Sequence, residues 1–389
     1  MQGAGAASIL LATLWLGASI GPEGQGVFSR TKAELEFVTA LAMFGLPQAL
    51  FFYVKSGALD ARAALRWALG SALLALPIGA AYGALQHSGS GAMPLLIGVA
   101  VALCVAQGQT RALLLVRERT VWFNAVTAAP QLLILGGVGL LIDRSLPSAA
   151  STWLVVFAVA FGLVAAVASY RLVATLGGSA PSTMSLHALA NYGSAIWLTG
   201  ALTTAAILAM QHRVEAAAGA ASLGQFTMAM TLSQVPLTPI SYAAPLLLRR
   251  WMEQSGAGAS KRWGWRLFLA LLTLAAAAGV ASLRWPDLGL GPAYAGVTLA
   301  LAILLAGGAA EATSRILTVQ ASATGLPWVA VRAEVARWVV LVVGVLSPLP
   351  VGLWPLCVVW SLAAVAAAAV FVGHAMSTGA RTASVVGPG

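Results

Sequence analysis

The sequence predicts an all-α membrane protein, with about twelve transmembrane helices in two parallel six-helix lobes around a central cavity. Three observations predict it. The chain has 389 residues, 60% hydrophobic and only 8% charged, whereas an average soluble domain is about a quarter charged. Apolar runs of about twenty residues recur from one end to the other, each long enough to cross the hydrocarbon core as a helix. Those runs are continuous, without the alternation that lipid-exposed strands need, so a barrel is excluded.

Spans fall near 4–20, 27–53, 67–86, 93–110, 124–142, 151–174, 190–210, 222–247, 264–283, 293–310, 328–346 and 351–373. Residues 4–20 read as the first span rather than a cleavable signal. No positive n-region precedes them, and no small-residue cleavage pattern follows. Gly and Pro punctuate the connections, as at Gly21-Pro22, Leu146-Pro147, Trp285-Pro286 and Gly291-Pro292. No connection is long enough for a soluble domain. The expected organisation is an N-terminal lobe at 1–174, a cytoplasmic linker at 175–189, a C-terminal lobe at 190–373 and a cytoplasmic tail at 374–389.

The net charge of +10 does not point to nucleic acid, because no basic run is interleaved with aromatics. Arg and Lys collect in the cytoplasmic loops of membrane proteins. Sixteen of the twenty-one fall in the even-numbered loops and the tail, Arg111, Arg315, Arg337 and Arg381 among them. The other side holds Arg30, Lys32, Arg144, Arg213 and Arg284. This split puts both termini in the cytoplasm and supports an even span count. Cys104 and Cys357 both lie in apolar runs and read as packing residues.

The two halves share a faint repeat. Gly26-Val27-Phe28 with Pro47 matches Gly224-Gln225-Phe226 with Pro245 at an offset of 198. Thr110-Arg111-Ala112-Leu113 matches Ser314-Arg315-Ile316-Leu317 at an offset of 204. Trp122 and Trp328 follow these at similar spacing. Two halves with an even number of spans each lie parallel, related by a pseudo-two-fold along the membrane normal.

The approach to the second span carries a motif: Leu16-Gly17, then Gly21-Pro22-Glu23-Gly24-Gln25-Gly26, then Phe44-Gly45-Leu46-Pro47-Gln48-Ala49. Gly219 to Phe226, followed by Pro236, Pro239 and Pro245, marks the corresponding part of the second half. These patterns resemble Wzx-type polysaccharide and O-antigen flippases of the superfamily that also contains the multidrug MATE exporters. The resemblance implies a transporter in a bacterial inner membrane. It would flip a polyprenyl-diphosphate-linked oligosaccharide to the outer leaflet by alternating access, beside other polysaccharide-assembly proteins. A proton or sodium ion would couple the movement. Where relatives often carry an acid after the seventh helix, this chain reads Gln211-His212-Arg213.

Several residues are candidates for that work. Arg30, Lys32, Glu34 and Glu36 begin the second span, with Arg30 and Glu34 on one face and Lys32 and Glu36 on a nearly opposite one. One reading has a cation of either pair meeting a pyrophosphate and Glu34 or Glu36 binding the coupling ion. The other has these turns extending past the bilayer, since Phe37 to Tyr53 alone is about 25 Å long. Arg111 and Arg315, related by the repeat, are candidates for collecting the diphosphate, because the guanidinium fork bonds phosphate oxygens in pairs. Ordinary positive-inside anchoring is the alternative. Glu311, one turn before Arg315, either pairs with it or binds a coupling proton. Gln225, Gln234 and Asn191 could meet sugar hydroxyls or bond between helices.

The chain has no phosphate-binding GxxxxGK[ST] loop, no GxSxG elbow and no HExxH motif. Its four histidines lack metal-ligand spacing. The expectation is a transporter rather than an enzyme, with no cofactor. A MATE-like cation exporter is the alternative, although that class often uses an acid in the first helix and residues 1–20 hold no charge. A membrane polysaccharide polymerase or ligase fits less well, because the outer loops are too short to carry its chemistry.

Overall fold

The structure, a computed structural model, describes residues 2–87, 91–116, 120–143, 149–174, 186–238, 240, 247, 258–323, 326–347 and 352–385. Among them, eleven α-helices follow the apolar runs: α1 Gln2–Met43, α2 Leu46–Lys55, α3 Ala61–Gln86, α4 Met93–Val116, α5 Thr120–Asp143, α6 Ala150–Val173, α7 Leu186–Gln234, α8 Gly258–Ala281, α9 Val297–Ala323, α10 Trp328–Leu346 and α11 Leu353–Val385. No strand occurs among the described residues. Among the described residues, seven helical stretches are long and apolar enough to cross a membrane, and the pair α1 and α2, bent by 44°, makes an eighth.

The two longest helices are both broken at a glycine. In α1, Gly21 has φ 72° and ψ −179°. In α7, Gly219 has φ 84° and ψ 172°. This backbone region is open essentially to glycine alone. Pro22 then suits the first position of a new helical segment, where an N–H has no partner to lose. The two glycines stand 198 residues apart, the same offset at which the sequence repeats. The backbone therefore repeats a rare conformation in step with the sequence.

A second break separates α1 from α2. Phe44 and Gly45 both have positive φ, 50° and 65°. A helix was expected to run unbroken over 27–53, and Pro47 near the start of α2 explains part of the departure. The rest comes from a neighbour. The Trp197 indole N–H of α7 donates to the Leu41 carbonyl at 2.9 Å, and its ring stacks near Phe44 with centroids 6.1 Å apart. A Cβ on Gly45 would overlap the Gly193 carbonyl oxygen. The break is thus a docking point for α7.

The chain divides into two compact units, Met1–Leu208 and Ala209–Gly389. In the first, α4 packs on α3 and α6, and α1 on α5. Lipid supplies no hydrophobic drive between helices, so close approach of small residues matters. Gly79 and Gly83 of α3 face Gly98 and Pro94 of α4, where a Cβ on either α3 glycine would come within 3.0 Å of backbone. Phe28 meets Trp153 edge-on at 5.1 Å and Phe157 at 5.6 Å, tying α1 to α6.

In the second unit, α9 packs against α8 and α11, and α10 against α11. Gly307 lets α9 touch the Ser361 backbone of α11, while the Ser361 hydroxyl donates to the Ile303 carbonyl at 2.9 Å. Cys104 and Cys357 are free and buried.

Candidate functional site

Four charged side chains meet in the second unit. Glu311 lies on α9, one turn before Arg315, while Glu334 and Arg337 sit three residues apart on α10. Arg315 Nε donates to Glu311 Oε1 at 3.1 Å, and Arg337 Nη2 donates to Glu311 Oε2 at 2.7 Å. Arg315 Nη2 donates to Gln234 Oε1 at 2.6 Å, bringing in the end of the α7 helix. Arg337 Nε lies 3.1 Å from Glu334 Oε2, and its guanidinium carbon is 5.6 Å from the centre of the Trp360 ring.

Three of the four members are shielded from water, while the Arg315 side chain is 32% exposed. Arg337 is 1% exposed, Glu311 6% and Glu334 7%. Each isolated ion here would lose several kcal/mol of hydration, so the arrangement survives only because two positive charges answer two negative ones. Both Glu311 oxygens already accept guanidinium hydrogen bonds. Any cation reaching Glu311 must displace an arginine.

The first unit holds a more open set. Arg30 Nε donates to Glu34 Oε1 at 3.1 Å, and His87 Nε2, at the end of α3, stands 3.8 Å from Glu34 Oε2. Tyr82, one turn earlier on α3, packs near Phe37 with ring centroids 6.2 Å apart. Lys32 Nζ donates to Glu36 Oε1 at 2.5 Å on another face of α1. The helical period makes both pairs i,i+4 neighbours and keeps them apart. The Arg30 side chain is 35% exposed, so its pairing adds little stability.

The repeat offset of 204 carries Arg315 to Arg111 and Glu311 to Gln107. Gln107 Nε2 donates to the Val126 carbonyl at 2.9 Å, and Arg111 lies over the Phe123 ring at 5.9 Å. Where the second unit has buried ions, the first has an amide bonded to a neighbouring backbone. Gln109 and Ser71 add a buried 3.2 Å bond between α4 and α3.

Of the sequence candidates, then, Arg315, Glu311 and Gln234 come together in one cluster. Arg30 joins Glu34, and Lys32 joins Glu36. Gln225 Nε2 donates to the Ala293 carbonyl at 2.8 Å, fastening α7 to the loop before α9. Asn191 belongs to α7, but its side chain lies outside the described residues, as do Ser241, Tyr242 and Pro245.

Sequence reading overlooked Glu334, Arg337 and His87. Arg337 was counted among the cytoplasmic loop cations. The structure corrects this: it is buried in α10, held by two carboxylates. The signal was present, because three charges within a helix of 19 residues are hard to explain as anchoring. His87 gave no comparable signal, since its contact with Glu34 joins residues 53 positions apart. Among the described residues, no group of three His, Cys, Asp or Glu could hold a metal ion.

No protein-family model and no curated protein sequence matches the chain. Solved structures do match, over almost its whole length. An outward-facing multidrug resistance MATE family transporter of the MOP superfamily has a TM-score of 0.69 at 13% identity, covering 98% of this chain and 94% of that one. An inward-facing form of such a transporter gives 0.62 at 16% identity, covering 98% and 95%. A MOP superfamily transporter from Pyrococcus furiosus, whose binding pocket is described as reversed in polarity, gives 0.68 at 13% identity, covering 97% and 94%. The chain therefore has the fold of the MATE-type transporters of the MOP superfamily. At such low identity, the likeness defines the fold alone.

Proposed function

We propose that this chain is an alternating-access membrane transporter that flips a polyprenyl-diphosphate-linked oligosaccharide from the cytoplasmic to the outer leaflet. One observation carries the choice of substrate. Four of the carboxylates set in the helices, Glu34, Glu36, Glu311 and Glu334, each stand against a cation of the chain itself. A transporter of organic cations needs a carboxylate that the cargo can approach. These four are already answered, whereas Arg30, 35% exposed beside Glu34, can turn donors toward a diphosphate.

The topology belongs to the same reading. The stretch Gly193–Leu237 has 45 residues, about 68 Å of helix against a hydrocarbon core of about 30 Å. Splitting it at Gly219 and α1 at Gly21 turns two helices into four crossings. α2 then continues the second crossing, and twelve crossings result, six on either side of the linker at 175–189. α10 is counted among them, because its charges neutralise one another in the cluster. The basic residues put both termini in the cytoplasm of a bacterial inner membrane.

A MATE-like multidrug or cation exporter is the second reading, favoured by the described activity of the structural neighbours. Proteoliposomes separate the two. The flippase reading expects a fluorescent polyprenyl-diphosphate oligosaccharide to become accessible to an external quencher. Extrusion of cationic dyes without lipid movement would overturn it.

A further inference from the structure

The two ends of the first unit are charged unequally. α3 has 26 residues, about 39 Å of helix, and its C-terminal end is marked by His87 beside Glu34 of α1. Its N-terminal end meets the ends of α2, α4, α5 and α6 around one apolar cluster that includes Leu50, Leu65, Leu114, Val126 and Leu172. Among the described residues, this end carries Lys55, Arg62, Arg66, Arg111 and Arg171 against a single acid, Asp60. The Asp60 carboxylate is itself committed. As the N-cap of α3 it accepts from the backbone N–H groups of Arg62 and Ala63. At the other end, α1 alone sets Glu23, Glu34 and Glu36 against Arg30 and Lys32.

Two exposed faces carry that basic end into the lipid. On α3, Arg62, Arg66, Leu69 and Leu73 recur at spacings of three and four, so they line one face, and all four are exposed. On α6, which runs the other way, Arg171, Val167, Leu163 and Val159 form the same kind of exposed stripe. The Arg171 guanidinium lies over the Trp122 ring of α5 at 4.5 Å, which holds the charge at the helix end. Each stripe is therefore apolar along its length and cationic where it reaches the basic end. That is the shape of acyl chains hanging from a phosphate.

We propose that the α3 and α6 stripes dock anionic phospholipids of the leaflet at this end. The phosphate meets Arg62 and Arg66, or Arg171, and the acyl chains lie along the leucines and valines. The inference does not rest on the flippase reading. Orienting the chain in the membrane would need only loop cations. These three arginines instead stand within helices, in register with the exposed apolar side chains. A guanidinium has several N–H donors, so bonds within the chain leave others for a phosphate. A basic residue close to an anionic leaflet gains about fivefold in affinity for it.

Native mass spectrometry of the detergent-purified full chain, titrated with phosphatidylglycerol and phosphatidylcholine together, reads the relative affinity. Wild type should retain phosphatidylglycerol in preference. Arg62→Gln, Arg66→Gln and Arg171→Gln should each weaken that preference about fivefold, and their combination should weaken it further. The single changes fall on exposed side chains, so the test does not depend on the triple variant folding. Lysine at the three positions should keep most of the preference. Arg284→Gln, exposed on the second unit, should leave it unchanged. Equal retention of both lipids by wild type, or a preference that survives all three glutamines, overturns the inference. Displacement of phosphatidylglycerol by inorganic pyrophosphate also overturns it, because the end would then be a site for soluble diphosphates. A triple glutamine variant that loses the preference upholds the docking surface whether or not the protein flips lipid-linked oligosaccharide, so the two readings stand or fall separately.

Discussion

Arg337 on α10 reaches Glu311 on α9 with a hydrogen bond of 2.7 Å, and both side chains are almost wholly shielded from solvent. This contact binds two helices of the second unit with charge rather than with apolar packing.

Removing one partner leaves the other buried and uncompensated. Arg337→Leu should therefore destabilise the protein by about 3–5 kcal/mol. Removing Glu334 and Arg337 together leaves Glu311 with Arg315, so the double variant should be milder than the single. Thermal unfolding midpoints in detergent compare them. A double variant less stable than Arg337→Leu would show that the cluster's worth is not charge balance.

Gly21 and Gly219 make a second test. A Cβ at either position meets nothing within 4 Å, so an alanine there suffers only from its backbone conformation. Each substitution should cost about 1–3 kcal/mol, and the two costs should be similar. Gly136 in α5 is equally open but has no positive φ. Gly136→Ala should be neutral or mildly stabilising in the same thermal assay. Equal tolerance of all three alanines would contradict the assigned backbone.

The joint between α1 and α2 depends on Trp197. Trp197→Phe keeps the ring and removes the bond to the Leu41 carbonyl, costing about 1–3 kcal/mol as that carbonyl loses its donor. Gly45→Ala should be worse, since it adds overlap with Gly193 to a positive φ. Melting curves that rank the pair in the opposite order would argue against this docking.

The proposed topology has accessible markers. In a background with Cys104 and Cys357 replaced by alanine, Ser56→Cys should react with a membrane-impermeant maleimide only from the cytoplasmic side. Arg284→Cys should react only from outside. Labelling of both from one face would mean an even number of crossings between them and rule out the proposed topology, which has an odd number.

Much of the fold was legible because hydropathy acts at the scale of whole helices. The repeat was legible through Gly and Pro, which fix backbone angles locally. What escaped were contacts between residues distant in sequence. Nothing near Phe44 announces that Trp197 will dock there, and nothing near Glu34 announces His87. Arg337 lay in plain view within an apolar helix. It was read as a loop cation because a charge tally ignores burial. Glu311 and Arg315 were legible as an i,i+4 pair, but the second arginine on Glu311 was not.

The most direct test is lipid flipping by Arg30→Ala beside wild type, at equal protein density in the same proteoliposomes. The account predicts that wild type moves a fluorescent polyprenyl-diphosphate oligosaccharide and that Arg30→Ala does not, although it inserts and melts normally. Normal flipping by Arg30→Ala would remove Arg30 from the site, and vesicles that expel cationic dyes while moving no lipid would contradict the account as a whole.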